Sequence, residues 1–203
     1  MTIIVATKNA HKVEELSKML EGVGEIGLVT MKDAGLDAEI EENGKTFMEN
    51  ALIKARFVCN ALGKAALADD SGLCVDVLGG EPGVYSARYA SENGENSSDE
   101  ANNEKLLNKL SGIQGGERTA RFVCALALVF PDGREVCATG ICEGLITREK
   151  RGEGGFGYDP LFFCPEFSKT FGELSNEEKN SVSHRNRAIM QLREKLKSLE
   201  YGG

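Results

Sequence analysis

Two adjacent acids, Asp69 and Asp70, are the residues whose type and spacing most directly suggest chemistry in this sequence. They follow the apolar run "AALA", and we expect that run to be a buried strand ending at the two carboxylates in a turn with Ser71. Ligands of α/β sheets bind beyond the carboxyl ends of strands, and Mg²⁺ takes one or two carboxylates with phosphate oxygens and water. The pair therefore predicts a hard-cation site; the alternative is a solvated turn capped by Ser71.

A further oxygen ligand is available in the segment "AEIEENG", which carries Glu39, Glu41 and Glu42. One of these carboxylates could complete a cation site with the two aspartates. Taken alone, the segment is more typical of a charged loop.

The segment "TKNAHK" predicts phosphate binding. It places Thr7, Asn9 and Lys12 where a strand meets a helix. Free amides and the macrodipole at a helix N-terminus favour anions, and Lys12 adds a positive charge. Asn9 could instead be a simple N-cap, and we expect His11 to face solvent.

A second basic segment, "EKNSVSHRNRA", groups Lys179, His184, Arg185 and Arg187 around a helix start that Ser183 could cap. Cations at the positive end of a helix are unfavourable unless an anion binds there. The segment therefore favours an anionic ligand, and a plain basic helix end is the alternative.

The string "RGEGGFGYDP" contains Gly152, Gly154 and Gly157 and so matches the G-x-G-x-x-G pattern of dinucleotide-binding folds. That fingerprint must open a helix, whereas here Pro160 follows and "LFF" predicts a strand. Protein kinase motifs and the phosphate-binding P-loop pattern do not occur in the sequence. We therefore expect a glycine-rich loop that lets a planar ring approach the backbone.

The elements that must position these residues alternate between strand and helix. "TIIVAT" predicts a strand followed by a helix, and "TARFVCALALVF" and "EVCATGICEGLIT" predict a hairpin joined at "PDGR". Capping boxes begin further helices at Thr46–Glu49 and Ser175–Glu178, and a last helix starts near Ser183. This order predicts an α/β fold with a mixed sheet and helices on its faces.

Composition narrows the class of protein. The chain has 203 residues, with 24 Lys and Arg against 32 Asp and Glu, so its net charge is −8. An acidic balance argues against nucleic acid or anionic membranes as partners. The six cysteines form no C-x-x-C pair, which predicts buried, reduced thiols, and no apolar run reaches 18 residues. We expect a cytoplasmic protein.

Six motifs, in order, give the chain a resemblance to the inosine triphosphate pyrophosphatase family from about Ile3 to Leu196. The motifs are "TKNAHK", "EENGKTFMENALIKA", "ADDSGL", "LGGEPGVYSARY", "GGFGYDPLF" and "EKNSVSHR". The resemblance implies one domain over residues 1–203, with an elongated mixed sheet and two lobes that flank a nucleotide-binding cleft. It also implies a Mg²⁺-dependent homodimer that hydrolyses dITP, ITP and XTP to the monophosphate and pyrophosphate.

The resemblance also implies roles for individual residues. Asp70 would be the general base and a metal ligand, with Glu41 as the second ligand. Glu42 and Asp69 are near enough to exchange roles with these neighbours, and Ser71 would contact the substrate. The remaining residues would hold the triphosphate (Thr7, Lys8, Asn9, Ala10, His11 and Lys12) or the base and adjoining groups (Phe156, Gly157, Tyr158, Asp159, Lys179, His184 and Arg185).

Selectivity for the purine base would come from the residues that hold it. Donors from His184, Arg185 or the backbone would bind a 6-keto oxygen but would be poorly matched to the 6-amino group of adenine, which is itself a donor. Phe156 would stack on the ring. Polar mismatch of this kind discriminates by about 10⁴–10⁵.

Three other functions are weighed against this one. A Nudix hydrolase requires an R-E-x-x-E-E helix, and no such string occurs. A non-catalytic nucleotide sensor would gain nothing from the acids at Asp69 and Asp70. A dehydrogenase would need the glycine string to bind NAD(H).

Overall fold

Strands and helices alternate along the first half of the chain, in a computed structural model that describes residues 1–7, 13, 16–18, 20 and 26–200. The strands are β1 (Thr2–Val5), β2 (Gly27–Thr30), β3 (Ala66–Val75), β4 (Thr119–Val129), β5 (Glu135–Ile146), β6 (Phe162–Cys164) and β7 (Lys169–Thr170). They form one sheet in the order β2-β1-β3-β4-β5-β6-β7. β1 is parallel to β2 and β3, whereas β6 is antiparallel to β5 and β7. The predicted α/β fold with a mixed sheet is confirmed.

Four α-helices have both ends within the described ranges: α1 (Phe47–Leu62), α2 (Asp99–Lys109), α3 (Asn176–Val182) and α4 (His184–Glu200). Residues 13 and 16–18 are also helical, where the sequence predicts a helix after β1. Short 3₁₀ helices lie at Asp76–Leu78, Gly83–Arg88 and Gly115–Glu117. No helix among these residues is long and apolar enough to cross a membrane.

Local sequence signals place several element ends correctly. Thr46 accepts a hydrogen bond from the Glu49 amide while the Glu49 carboxylate accepts from the Thr46 amide, and Ser175 and Glu178 repeat this capping box at α3. Gly133, at φ 88°, lies in the predicted hairpin turn between β4 and β5. Both capping boxes and the hairpin are confirmed.

Strand β3 departs from the prediction that it ends at Asp69 and Asp70. The strand continues through both acids and Ser71 to Val75, where a 3₁₀ turn follows. The parallel pairing with β1 stops at Leu67, so the acids lie just past the carboxyl end of β1. β4 is the other neighbour of β3 in the sheet. Neighbouring residues of a strand point to opposite faces, and the two carboxylates therefore diverge.

The chain divides into two compact units, and the first comprises residues 1–70, 124–140 and 185–203. Its core has two clusters because buried strand residues alternate between faces. Ile3 and Leu126 pack with Leu192 of α4, whereas Ile4 and Ala127 pack with α1. Helices therefore cover both faces of the sheet in this unit.

The second unit comprises residues 71–123 and 141–184. Its core contains three packed phenylalanines, with the Phe162 ring centroid 4.5 Å from Phe122 and 4.9 Å from Phe171. The description of the whole chain as one domain of two lobes around a cleft stays a prediction.

The cysteines are distributed over both units. No disulfide joins the six, all of which lie within the described residues. Four are buried and Cys74 and Cys137 are half-buried, so the buried positions predicted for them are confirmed at four.

Candidate active site

Two side chains of α1 hold the carboxylate of Asp70. Asn50 and Lys54 are four residues apart and so share one face of the helix. The Asn50 amide nitrogen donates to Asp70 Oδ2 at 3.1 Å, and Lys54 Nζ lies 3.3 Å from Oδ1. Each carboxylate oxygen has its own donor, which fixes the plane of the group. With Glu42 and Asp69, these residues form what we call the acid–lysine cluster.

Glu42 joins this cluster through Lys54, whose Nζ lies 3.0 Å from Glu42 Oε1. The Asn50 side-chain oxygen accepts from the Gly44 amide at 2.8 Å and anchors the same loop. A Cβ at Gly44 would come within 2.6 Å of that oxygen, so a larger residue would push the loop away. Glu41 is exposed. The structure therefore brings Glu42, the predicted alternative, into the cluster rather than Glu41.

The cluster carries an excess of negative charge. Burial raises the pKa of Asp70 above its ordinary value, and the charge of Lys54 does not cancel this effect. Burial alone would lower the pKa of Lys54, but the charges of Asp70, Glu42 and Asp69 outweigh it and raise that pKa. Glu42 and Asp70 contact the Lys54 ammonium and Asp69 adds a third negative charge that acts on it, so acids outnumber bases in the cluster. A further cation is therefore favoured here.

The oxygen donors of the cluster suit Mg²⁺. Within the described part of the chain, no set of three or more acids, histidines or cysteines is arranged to hold a metal. Glu42 and Asp70 nevertheless direct one oxygen each at the same ammonium nitrogen. Mg²⁺ commonly takes only one or two protein carboxylates and completes its shell with phosphates and water. The residues present fit a Mg²⁺ ion that binds together with a phosphate-bearing substrate.

Of the residues predicted to hold the triphosphate, Thr7 is half-buried just beyond β1. Ser71 follows Asp70 in β3, and its buried hydroxyl meets no hydrogen-bond partner among the residues described. The other members of this group lie outside the described residues: Lys8, Asn9, Ala10, His11 and Lys12.

In the second unit, the structure brings together Phe156, Asp159 and Lys179. Asp159 is buried, and its Oδ2 accepts from the Phe156 amide at 2.8 Å and from Lys179 Nζ at 2.5 Å. The Lys179 ammonium also lies 4.8 Å from the centroid of the Phe156 ring. That ring is 62% exposed, although its backbone is fixed. An exposed aromatic on a fixed backbone, with a cation beside it, can stack on a planar anionic ligand.

Gly157 and Tyr158, which lie between Phe156 and Asp159, have different surroundings. Gly157 is bound by α2, because its amide donates to Asp99 Oδ2 at 2.6 Å and its carbonyl accepts from Asn103 Nδ2 at 2.9 Å. Tyr158 is buried, and its hydroxyl donates to the Ser86 carbonyl at 2.8 Å. Burial also raises the pKa of Tyr158. Its side chain therefore belongs to the core of this unit.

His184 and Arg185 begin α4. His184 is buried, and its ring stacks on Phe122 with centroids 4.9 Å apart. Arg185 is half-buried. Ser183 stands immediately before the helix in extended geometry, at the position predicted for an N-cap.

The glycine string serves the packing of the loop on its own chain. A Cβ at Gly152 would lie 2.1 Å from the backbone of Gly172, and one at Gly155 would lie 2.0 Å from Asp159 Oδ2. Gly157 is open and needs its positive φ of 62°. Gly152 and Gly155 are thus required by packing within the chain, and the approach of a planar ring to this loop stays a prediction. A short strand, β6, follows the loop, in agreement with the exclusion of a dinucleotide fingerprint.

Four residues that bind Asp70 or the backbone of Gly157 were not predicted from the sequence: Asn50, Lys54, Asp99 and Asn103. Asn50 and Asn103 did leave a signal, since each is a polar residue on the buried face of its helix. Buried polar side chains normally have a specific partner. Lys54 is half-buried and Asp99 is exposed, and neither gave such a signal.

The chain is similar to known proteins over nearly its whole length. The Ham1 family profile matches residues 3–195. A dITP/XTP pyrophosphatase from Desulforamulus reducens is 50% identical over 199 residues, covering 98% of this chain and 97% of the relative. One from Bacillus cereus is 47% identical over 196 residues, covering 96% and 94%.

Solved structures agree. The Staphylococcus aureus Ham1 protein matches with a TM-score of 0.89 at 42% identity, covering 98% of this chain and 100% of that one. A nucleoside-triphosphatase / dITP/XTP pyrophosphatase from Mycobacterium abscessus matches with a TM-score of 0.81 at 46% identity, covering 95% and 98%. The resemblance predicted from the six motifs is confirmed, and the chain belongs to the Ham1 family.

Proposed function

We propose that this protein hydrolyses the non-standard purine nucleoside triphosphates dITP, ITP and XTP to the monophosphate and pyrophosphate, and so removes them from the nucleotide pool. The observation that carries the proposal is the Asp70 carboxylate, which Asn50 and Lys54 hold in one orientation inside an acidic cluster. The names of the relatives, dITP/XTP pyrophosphatase, support the substrate.

Asp70 acts as the general base in this proposal. Its raised pKa makes the carboxylate a better proton acceptor than an ordinary aspartate. It takes a proton from a water molecule whose oxygen bonds to the α-phosphorus. The bond from that phosphorus to the bridging oxygen breaks, and pyrophosphate leaves with the electron pair. Lys54 holds the base in place and offsets part of its charge.

Mg²⁺ is the proposed cofactor. Glu42 and Asp70 would hold it, with Glu41 and Asp69 as alternative ligands. When bound, the ion neutralises phosphate charge and polarises the reacting phosphoryl group. The residues predicted at Thr7–Lys12, together with Ser71, would contact the phosphates.

Binding of the purine base is assigned to Phe156 and the residues near it. Phe156 would stack on the purine, and Lys179 adds a positive charge beside that ring. His184 and Arg185 would supply donors that suit a 6-keto oxygen and disfavour the 6-amino group of adenine. Gly157, Tyr158 and Asp159 shape the loop that carries Phe156.

The family resemblance adds further predictions that concern the whole protein. We expect a cytoplasmic homodimer whose partners are nucleotides, with neither nucleic acid nor membrane among them. A non-catalytic nucleotide sensor is the alternative function, and turnover separates it from an enzyme.

A panel of purine triphosphates tests the proposal. Purified protein with Mg²⁺ is expected to release pyrophosphate from dITP, ITP and XTP with kcat/KM far above that for ATP and dATP, by up to about 10⁴-fold. Orthophosphate should stay at background. Equal rates for all purines would remove the proposed selectivity, and binding without product would favour the sensor.

A further inference from the structure

Side chains of helix α2 bind the backbone of Gly157, the residue after the proposed stacking residue Phe156. Asp99 and Asn103 are four residues apart, on one face of the helix. The Asp99 carboxylate accepts from the Gly157 amide at 2.6 Å, and the Asn103 amide donates to the Gly157 carbonyl at 2.9 Å. Both backbone groups of one residue are thus bound by a single rigid element.

The side chain of Asn103 is polar and buried. Asn103 is 3% exposed, and its side-chain oxygen is buried without a hydrogen-bond partner among the residues that the structure describes. A buried polar side chain normally has a specific partner, and an apolar residue here would leave the Gly157 carbonyl without its donor. What the asparagine contributes is its bond to Gly157.

The bond matters because of where Gly157 lies. Its φ of 62° turns the chain directly after Phe156, whose ring is exposed. The Phe156 amide is bound on its other side by Asp159. Three hydrogen bonds over two consecutive residues therefore fix the direction in which the ring projects.

We propose that Asp99 and Asn103 are positioning residues for the purine base: by fixing Gly157 they set the height and tilt of the Phe156 ring. The inference rests on the proposed function and deepens it. Neither side chain need touch substrate. Their loss should weaken binding of the base and leave the chemical step nearly unchanged, which is a rise in KM at constant kcat.

The chain offers a matched control in the adjacent Asn102. Asn102 is also 3% exposed, but its side chain binds the Ala90 amide and the Ala87 carbonyl instead of the glycine loop. For dITP, Asn103→Leu is expected to raise KM about tenfold with kcat within about twofold. Asn102→Leu is expected to leave KM within about twofold. Thermal unfolding of both variants checks that they fold.

A second pair of variants tests the other contact. Asp99→Asn keeps an oxygen that can accept from Gly157, whereas Asp99→Ala removes it. We expect Asp99→Ala to raise KM and Asp99→Asn to restore most of the wild-type value. In the protein without nucleotide, NMR hydrogen exchange of the Gly157 amide should be faster in Asp99→Ala and near wild type in Asp99→Asn.

The outcomes separate this inference from the proposed function. Wild-type protein that releases no pyrophosphate from dITP overturns the proposed function. Faster exchange of the Gly157 amide in Asp99→Ala would still support the binding of Gly157 by α2. Wild-type turnover combined with equal KM changes for Asn103→Leu and Asn102→Leu overturns the positioning role. A fall in kcat at constant KM overturns it as well.

Discussion

At the scale of single residues, the proposed general base Asp70 also affects stability. Burial raises its pKa in the folded state above the ordinary value of 3.8. The folded protein therefore binds this proton more tightly than the unfolded chain does. The free energy of unfolding falls as pH rises from the unfolded pKa through the folded one, and the loss persists at neutral pH.

Asp70→Asn should therefore separate stability from activity. At pH 7 and without divalent cations, we expect its melting temperature to stay close to that of wild type, because a disfavoured buried charge is gone while Lys54 loses one of the carboxylates that offset its burial. Pyrophosphate release should fall by about 10²–10⁴-fold. Asp76→Asn, at an exposed surface pair with Arg121, serves as the control and should keep wild-type turnover. Near-normal turnover in Asp70→Asn would refute its role as the base.

The neighbouring glutamates give a second test at this scale. Glu42 shares Lys54 with Asp70, whereas Glu41 is exposed. We expect Glu42→Gln to raise the Mg²⁺ concentration needed for half-maximal rate by about tenfold or more, as for other groups that hold a metal. Glu41→Gln should leave it close to wild type. The reverse ranking, measured in a Mg²⁺ titration of dITP turnover, would restore Glu41 as the ligand.

At the scale of elements, α1 supplies both side chains that hold Asp70, and its start is set by the Thr46 capping box. Thr46→Ala removes one half of that box and should lower the free energy of unfolding by about 1 kcal/mol. Thr46→Ser keeps the hydroxyl and should recover most of the loss. Urea denaturation measures both values. Equal stability of all three proteins would show that the cap does not hold the helix.

Elements were predictable where their signals are local. The capping boxes and the "PDGR" turn depend on residues three or four apart, and the sequence displays them directly. β3 continues through Asp69 and Asp70 although acids are poor strand formers, and its sheet neighbour β4 lies some 50 residues later in the chain. No window around the acids reveals that neighbour.

At the scale of the whole molecule, the chain is acidic, and it also has an excess of carboxylates close to one lysine, Lys54. The net charge of −8 and the excess of carboxylates beside Lys54 both oppose a triphosphate unless cations enter with it. The six motifs predicted the family, which the comparisons confirm, and proposed candidate site residues, because these are short strings read in order. They did not predict Asn50 or Asn103 as supports, since those roles depend on contacts between distant segments.

The most direct measurement of the central claim is the position of oxygen-18 after dITP is hydrolysed in labelled water with Mg²⁺. In the proposed reaction, water activated by Asp70 attacks the α-phosphorus, so the label is expected in dIMP and not in pyrophosphate. Asp70→Asn should form little labelled product. Label in pyrophosphate or orthophosphate would place the attack at another phosphorus and contradict the account.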